Sequence, residues 1–407
     1  MLSPAKHEVT DRALFRRTFA VLSVVVGLGP LAVDSTMPAV RDMADGLGTD
    51  MGTVQATLGA YVAGTAAGQL IFGALADRYG RRPTLIFGLT AYVAAALLLV
   101  FAQSIGPVFA LRFVLGLGTA AAFVVTRAVV RDLFNVATSA RMYASLFQVL
   151  GFFPMLCPII AGELTELFGW RSVYAAIAVF SGVGLIVIEL GLRESLVVVD
   201  RHALHVRKIA ASFAEVLRDP TFLAYLIVGI GAYIGLMTVL AAMPPIIIGH
   251  LGGSPTVVGY VYAIVMFAHF AGAAIGNRLI RRLGLASMIA IGVAMIGLAA
   301  LTSIVVAVGG WVSIVTVVAA NAMLTAGFAL TNPAMTAGAL SNFHHMAGRA
   351  TAALGFIQQT TGAATVFLIG LATDGSPRPH AFAMACAGVI AVGAYLALVR
   401  PLKPKAA

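Results

Sequence analysis

The chain has 407 residues, of which 60% are hydrophobic and only 10% are charged. Soluble globular proteins carry about 25% charged residues, so this composition excludes a water-soluble domain and indicates many membrane spans. The formal net charge of +10 does not indicate nucleic-acid binding, because the basic residues lie in short clusters between apolar segments. Cys157 and Cys386 lie in separate apolar segments, so we expect neither a disulfide framework nor a metal site.

The apolar segments predict twelve membrane-spanning helices, since a span needs about 20 apolar residues with every backbone group hydrogen-bonded. The predicted spans cover residues 18–40, 53–76, 83–103, 106–130, 142–165, 172–193, 221–247, 256–279, 286–307, 311–333, 349–373 and 380–400. The basic N-terminus resembles the start of a signal peptide. Because one span follows another, we expect an uncleaved first helix instead.

The spans form two sets of six, which predicts an all-α membrane protein with two pseudo-symmetric halves. Residues 1–193 and 220–407 form the halves, and the polar residues 194–219 form a cytoplasmic linker. GALADRYG (Gly73–Gly80) and NRLIRRLG (Asn277–Gly284) occupy the same place in each half, between the second and third span. Such an internal repeat is typical of one large class of transporters.

The lysines and arginines of the short loops predict that both termini are cytoplasmic. With this orientation only Arg41, Arg171 and Arg378 face the outside, and all other basic loop residues face the cytoplasm. Cytoplasmic loops of membrane proteins are enriched in Lys and Arg in this way.

Asp34 is the acidic residue of the first predicted span. Pro38 lies four residues later and has no N–H group, so the backbone carbonyl of residue 34 loses its helical partner. Ionisable residues within spans are energetically costly and usually functional. A buried carboxylate can load and release a proton near neutral pH, and a nearby cation opposes this. We therefore expect a proton or substrate site at Asp34; the alternative is a carboxylate at the headgroups that only ends the helix.

The loop after the second span combines charges and glycines in GQLIFGALADRYGRRP (Gly68–Pro83). Gly73 and Gly80 allow close helix contact and a tight turn. Asp77 is a lone carboxylate among arginines. A cytoplasmic anchor would account for the arginines, but not for the carboxylate and the glycines.

This loop resembles motif A of the major facilitator superfamily nearly letter for letter. Other segments resemble the drug:proton antiporters of that superfamily, and in particular the bicyclomycin/chloramphenicol-resistance (Bcr/CflA) family. They are LAVDSTMP (Leu31–Pro38), LRFVLGLGTAAAFVVTRAVVRDLF (Leu111–Phe134), PMLCPIIAGELTELFGWRSVY (Pro154–Tyr174) and AGRATAALGFIQQTTGA (Ala347–Ala363). The resemblance extends from about residue 18 to residue 400.

The resemblance implies roles for three groups of residues. Asp34 and Arg112 would couple transport to protons, with Arg112 as the partner of the carboxylate. An inner gate that holds the outward-open state would comprise Gly73, Asp77, Arg78, Gly80, Arg81, Arg131 and Asp132. Pro154, Pro158 and Gly162 belong to the antiporter motif. The second-half copy has Arg281 in place of Asp77, which predicts an asymmetric distribution of gate charge.

Several polar, aromatic and methionine residues of the predicted spans would suit a pocket for lipophilic compounds. The candidate substrate-binding residues are Asp34, Tyr61, Phe147, Gln148, Tyr233, Met237, Met266, His269 and Gln358. Interhelical hydrogen bonds and contact with lipid would explain the same residues without a ligand.

These observations predict a proton-coupled efflux transporter that works by alternating access. We expect a monomer in the inner membrane that exchanges small amphipathic or lipophilic drugs for protons, without a cofactor. An importer or symporter of a metabolite is the alternative, and a receptor or scaffold on the same fold is a third reading. An enzyme is not expected, because no nucleophile–base pair, phosphate loop or ligand cluster is present. The substrate, the proton stoichiometry, the resting conformation and any share of His269 or Glu163 in proton transfer stay open.

Overall fold

The computed structural model describes residues 12–196, 213–343 and 346–401. Within these ranges twelve helices are long and apolar enough to cross a membrane, and no residue forms a strand. The predicted number of spans is therefore confirmed. We label these helices α1 to α12 in chain order: Arg12–Asp34, Met51–Tyr79, Arg81–Val100, Ile105–Leu133, Arg141–Phe168, Trp170–Gly191, Pro220–His250, Pro255–Ile280, Arg282–Gly309, Ile314–Ala339, Gly348–Ala372 and Arg378–Val399.

The first helix differs from its predicted bounds. It is interrupted at Gly27 and ends at Asp34, whereas the apolar pattern extended it to residue 40. A short helix that was not predicted, Val40–Leu47, follows it and ends at Gly48 in the left-handed conformation, with φ 64°. Asp50 then begins α2, because its carboxylate accepts the backbone N–H of Thr53 at 2.9 Å.

Single glycines form three turns: Gly80 lies between α2 and α3, Gly169 lies between α5 and α6, and Gly284 is a non-helical residue near the start of α9, where the chain turns after α8. Gly80, Gly169 and Gly284 have φ of 105°, 75° and 76° and ψ of 158°, 170° and 170°. This region of φ strongly favours glycine. The two copies of the predicted repeat therefore share one turn conformation, and the α5–α6 turn repeats it within the first half.

Two arginines tie α3 and α6 together in opposite directions. Arg82 at the start of α3 donates to the carbonyl of Glu189 in the last turn of α6, at 2.9 Å. Arg171 at the start of α6 donates to the carbonyl of Ala102, just past the end of α3, also at 2.9 Å. Basic side chains commonly bind the free carbonyls at helix ends. Thus an arginine at the start of each helix binds a carbonyl at the end of the other. This reciprocal pairing is expected if α1–α3 and α4–α6 are inverted three-helix repeats within the first half.

The two ends of the bundle are distinguished by the loops that they carry. We call the end with the α2–α3 turn and Glu194 the linker end, and the opposite end the distal end. Only residues 194–196 and 213–219 of the predicted linker are within the described ranges, and residues 197–212 lie outside them.

Candidate functional site

A cavity of about 1150 Å³ lies between the two halves of the bundle. Its lining includes residues of α1, α2, α4 and α5 from the first half and of α7 to α11 from the second half. On the side of the linker end the lining reaches Tyr143 near the start of α5, Ile280 at the end of α8 and Met288 near the start of α9. The cavity therefore extends toward the linker end.

At the distal end the halves meet through two closely packed helix pairs. In the α2–α11 pair, a Cβ atom on Gly370 would lie 2.6 Å from the carbonyl oxygen of Gly52. In the α5–α8 pair, a Cβ atom on Gly162 would lie 2.9 Å from the carbonyl oxygen of Pro255. Only glycine permits this backbone approach. These pairs, which we call the distal contacts, close the cavity at this end.

The antiporter motif lies at one distal contact and at the cavity wall. Gly259 of α8 packs against the carbonyl of Pro158, and Gly162 packs against the start of α8. Pro154 lines the cavity. The helix continues from Val136 to Phe168 through both prolines. The motif thus belongs to the surface on which the two halves meet.

The structure brings most of the candidate substrate-binding residues together. Eight of the nine line the cavity: Asp34, Tyr61, Phe147, Gln148, Tyr233, Met237, Met266 and His269. Gln358 does not line it. Its Nε2 atom is buried without a hydrogen bond and lies beside Gly229 of α7. The next residue, Gln359, lines the cavity instead and accepts a hydrogen bond from the Tyr233 hydroxyl. Neighbouring helix positions differ by about 100° in direction, so Gln359 and not Gln358 faces the cavity.

Asp34 is the carboxylate of the cavity wall. It is the last residue of α1 and is 5% exposed. Among the described residues no basic nitrogen lies within 4.0 Å of its carboxylate. The described lining contains no other acidic residue and neither lysine nor arginine.

Tyr61 connects three helices beside this carboxylate. Its hydroxyl lies 3.0 Å from the Thr119 hydroxyl of α4 and 3.4 Å from the carbonyl of Gly29 in α1. The backbone of α4 approaches α2 at Gly116, where a Cβ atom would lie 2.8 Å from the amide nitrogen of Thr65. The position of the Tyr61 hydroxyl is therefore fixed by tight helix packing.

In this conformation Arg112 does not pair with Asp34, so their expected partnership is not formed here. Its side chain is 2% exposed, and Nε donates to the Tyr174 hydroxyl of α6 at 3.0 Å. Nη2 is buried and has no hydrogen-bond partner. Arg112 is absent from the cavity wall. The guanidinium points toward α6 and not toward α1. The position of Arg112 in the sequence of α4 does not reveal this direction.

Charged residues of motif A and of the end of α4 form an ion-pair network at the linker end. The Arg81 guanidinium is 2.5 Å from the Asp77 carboxylate and 2.9 Å from that of Asp132. Arg81 is 4% exposed, whereas Asp77 is 45% exposed. Arg131 is solvent-exposed, 3.9 Å from Asp132. All of these residues belong to the first half.

The other motif positions contribute less to the network. Arg78 lies over the Tyr79 ring at 5.3 Å. Gly73 faces Val124, and Gly80 forms the turn. The side chain of Arg281 in the second copy lies outside the described part of the chain.

Sequence reasoning missed Glu194. Its carboxylate accepts the backbone N–H groups of Arg81 at 2.9 Å and Arg82 at 3.1 Å. These are free donors at the start of α3, where a negative charge is also favoured by the helix dipole. Ser195, next in the chain, is 3.4 Å from Asp132. The start of the linker is thus bonded directly to motif A. The only sequence signal was an acidic residue directly after the sixth span.

The comparisons with known proteins agree with this architecture. The family model of the Major Facilitator Superfamily matches residues 22–366. A bicyclomycin resistance protein homolog of Haemophilus influenzae is 27% identical over 393 residues, which cover 96% of this chain and 98% of the relative. A chloramphenicol resistance protein of Pseudomonas aeruginosa is 28% identical over 343 residues, covering 82% and 79%. Multidrug resistance protein D of Escherichia coli is 26% identical over 339 residues, covering 83% and 84%.

Solved structures share the fold at low identity. The crystal structure of a POT family transporter in complex with 5-aminolevulinic acid has a TM-score of 0.78 at 14% identity, covering 95% of this chain and 97% of that one. The xylose transporter XylE from E. coli, in a partially occluded inward open conformation, has a TM-score of 0.71 at 12% identity, covering 96% and 98%.

Proposed function

The chain belongs to the Major Facilitator Superfamily, and we propose that it exports small amphipathic or lipophilic compounds in exchange for protons. It is a multi-pass membrane protein of a transporter family, and its relatives are named for resistance to bicyclomycin, chloramphenicol and multiple drugs. Export of such compounds by this chain is supported by these names together with the apolar cavity between the halves.

The observation that carries the proposal is the isolated carboxylate of Asp34 in that cavity. A carboxylate in an apolar site is neutralised by a proton, by a cationic substrate or by a positively charged side chain nearby. No lysine or arginine of the described lining can neutralise Asp34. A proton and a cationic compound therefore compete for one carboxylate, which is the simplest way to couple their opposite movements.

Alternating access is supported by the unequal ends of the bundle. The distal contacts close one end, whereas the cavity extends to the other. With the predicted orientation the linker end is cytoplasmic, so this conformation faces inward. Rocking of the halves would separate α2 from α11 and α5 from α8, and would bring the cytoplasmic ends together beside the Arg81 network.

Arg112 enters the proposal through its unpaired Nη2 atom. A buried guanidinium with a free N–H group can bind a carboxylate when neighbouring helices shift. We propose that in a second conformation Arg112 binds the Asp34 carboxylate after that carboxylate has lost its proton. We also propose that the protein is a monomer in the inner membrane. It would use the proton gradient as its energy source and would need no cofactor or metal.

The test uses everted membrane vesicles with an acidic lumen and a pH-sensitive dye. Chloramphenicol, bicyclomycin and ethidium are added in turn to the native protein, to Asp34→Asn and to Asp45→Asn. Asp45 is an exposed carboxylate outside the cavity and serves as the matched control. Proton release in the native protein and in Asp45→Asn, lost in Asp34→Asn, is the expected result.

Two other outcomes contradict parts of the proposal. Release that persists in Asp34→Asn places the proton site elsewhere. Silence with every compound, for folded protein, rejects drug antiport and favours an importer or symporter of a metabolite.

A further inference from the structure

His269 of α8 lies in the second-half wall of the cavity, across from the half that carries Asp34. Its ring packs against aromatic neighbours: it stacks on Phe328 at 5.9 Å between centroids and 28° between planes, and meets Phe270 edge-on at 5.8 Å. Tyr233 approaches the same Phe328 ring, at 6.2 Å. The imidazole is thereby held in one plane.

One ring nitrogen is committed to the backbone. Nδ1 lies 3.2 Å from the carbonyl oxygen of Thr325 in α10. A carbonyl oxygen only accepts, so Nδ1 carries the proton in this contact. In the neutral ring Nε2 then bears a lone pair and can only accept a hydrogen bond. Within the described part of the chain, Nε2 has no hydrogen-bond partner.

The other neutral polar groups of the cavity wall do not discriminate in this way. The amides of Gln148, Asn277 and Gln359 each offer a donor and an acceptor, and the tyrosine hydroxyls do the same. An amide or hydroxyl can satisfy a ligand that donates or one that accepts. Nε2 of His269 satisfies only a ligand that donates.

We propose that His269 is a specificity residue that accepts, through Nε2, a hydrogen bond from an N–H or O–H group of the substrate. The preferred substrate is a planar aromatic compound with a positive charge for Asp34 and a separate donor for His269. Such a compound is held by both halves at once, whereas a cation without a donor is held by Asp34 alone. This inference rests on the proposed export function and names the substrate class of the same cavity.

The test measures the binding of two cations to purified protein at pH 8. Such a binding measurement does not depend on proton-coupled transport. Ethidium is a planar cation with two aromatic amino groups, and tetraphenylphosphonium is an aromatic cation without any N–H or O–H. His269→Phe keeps an aromatic ring against Phe328 and removes both nitrogens. His269→Asn can keep the donor to Thr325 and lacks an acceptor at the place of Nε2.

We expect both variants to lower ethidium affinity about tenfold, the effect of one lost hydrogen bond at a desolvated site, and to change tetraphenylphosphonium affinity less than about threefold. An equal loss for both ligands, or no loss for ethidium, overturns the assignment. Asp34→Asn should weaken the binding of both cations. If it does not, the proposed role of Asp34 fails, whatever the result for the His269 variants.

Native protein supplies a second measurement that needs no substitution in the chain. Ethidium is compared with the analogue in which both amino groups are dimethylated, so that no N–H remains and the charge is unchanged. We expect about tenfold weaker binding of the methylated cation. Equal affinity of the two cations contradicts a donor-selecting His269.

Discussion

Arg112 donates from Nε to the hydroxyl of Tyr174, 3.0 Å away, and this hydroxyl in turn lies 3.9 Å from the sulfur of Met43. The contact joins α4 to α6 and to the short helix Val40–Leu47. It places a buried cation behind the cavity wall and leaves Asp34 without a basic partner.

Tyr174→Phe tests how strongly this contact stabilises the fold. The substitution leaves a buried guanidinium with one hydrogen bond fewer, so we expect a loss of about 1.5–3 kcal/mol in the free energy of unfolding. Tyr92→Phe is the matched control, because the buried Tyr92 hydroxyl donates to the neutral carbonyl of Leu28 at 2.9 Å and should cost about 1 kcal/mol. Denaturation in mixed micelles measures both. An equal or smaller loss for Tyr174→Phe would contradict the assignment.

Glu194→Ala should destabilise the first half, since it removes the acceptor of two backbone N–H groups at the start of α3. The expected loss is about 0.5–2 kcal/mol, as for other helix caps. Glu189→Ala controls for the removal of a nearby carboxylate, because Arg82 binds only the backbone carbonyl of Glu189. Micelle denaturation compares the two, and similar stabilities would show that Glu194 does not act as a cap.

Gly370→Val should shift the protein away from the closed distal end. The new side chain would meet the backbone of Gly52 and Ala56, so α2 and α11 cannot keep their distance. Spin labels at positions 103 and 311, past the distal ends of α3 and α9, report the separation by pulsed electron paramagnetic resonance. We expect a new population at longer distance. In Gly393→Val, where the side chain meets open space, the distribution should not change.

Should Gly370→Val leave the distances between the labels unchanged, the α2–α11 contact would not be what closes the distal end. The native cysteines Cys157 and Cys386 are replaced before labelling, so that only the introduced positions carry a spin label.

Adjacent glutamines on α11 should differ in their effect on ligand binding. Gln359→Leu removes an amide from the cavity wall and breaks the contact with Tyr233, so ethidium affinity should fall about tenfold. Gln358→Leu removes an amide that lies off the cavity wall and whose buried Nε2 atom has no hydrogen-bond partner, and it should leave the affinity unchanged. Fluorescence titration of purified protein distinguishes them. A larger loss of affinity for Gln358→Leu would show that the face of α11 that carries Gln358, and not the face that carries Gln359, lines the cavity.

The Asp50 cap predicts a pH dependence of stability. The hydrogen bond from the Thr53 hydroxyl holds the pKa of the Asp50 carboxyl below its ordinary value of 3.8. A lowered pKa means that the ionised cap stabilises the fold above the ordinary value, and that this contribution disappears as the pH falls through the folded-state pKa. Asp50→Ala should therefore cost about 1 kcal/mol at pH 7 and less at pH 3. Micelle denaturation at both pH values measures it, and an equal cost would contradict the prediction.

The sequence by itself determined the number of spans, the two halves and the glycine turns. These features follow from local properties, namely the length of apolar segments and the conformations that only glycine adopts readily. The same holds for Asp34, because a carboxylate in an apolar span is conspicuous in any sequence.

Only the tertiary structure decided which side chains meet. Spans that are apolar on every side give no periodic signal for their rotation, so Gln358 was chosen where Gln359 lines the cavity. Arg112 could reach α1 or α6, and packing directs it to Tyr174. Glu194 and the Nδ1 contact of His269 depend on residues distant in the chain. Helix rotation and long-range approach are fixed by the packing of the whole bundle, and no segment of the sequence contains that information alone.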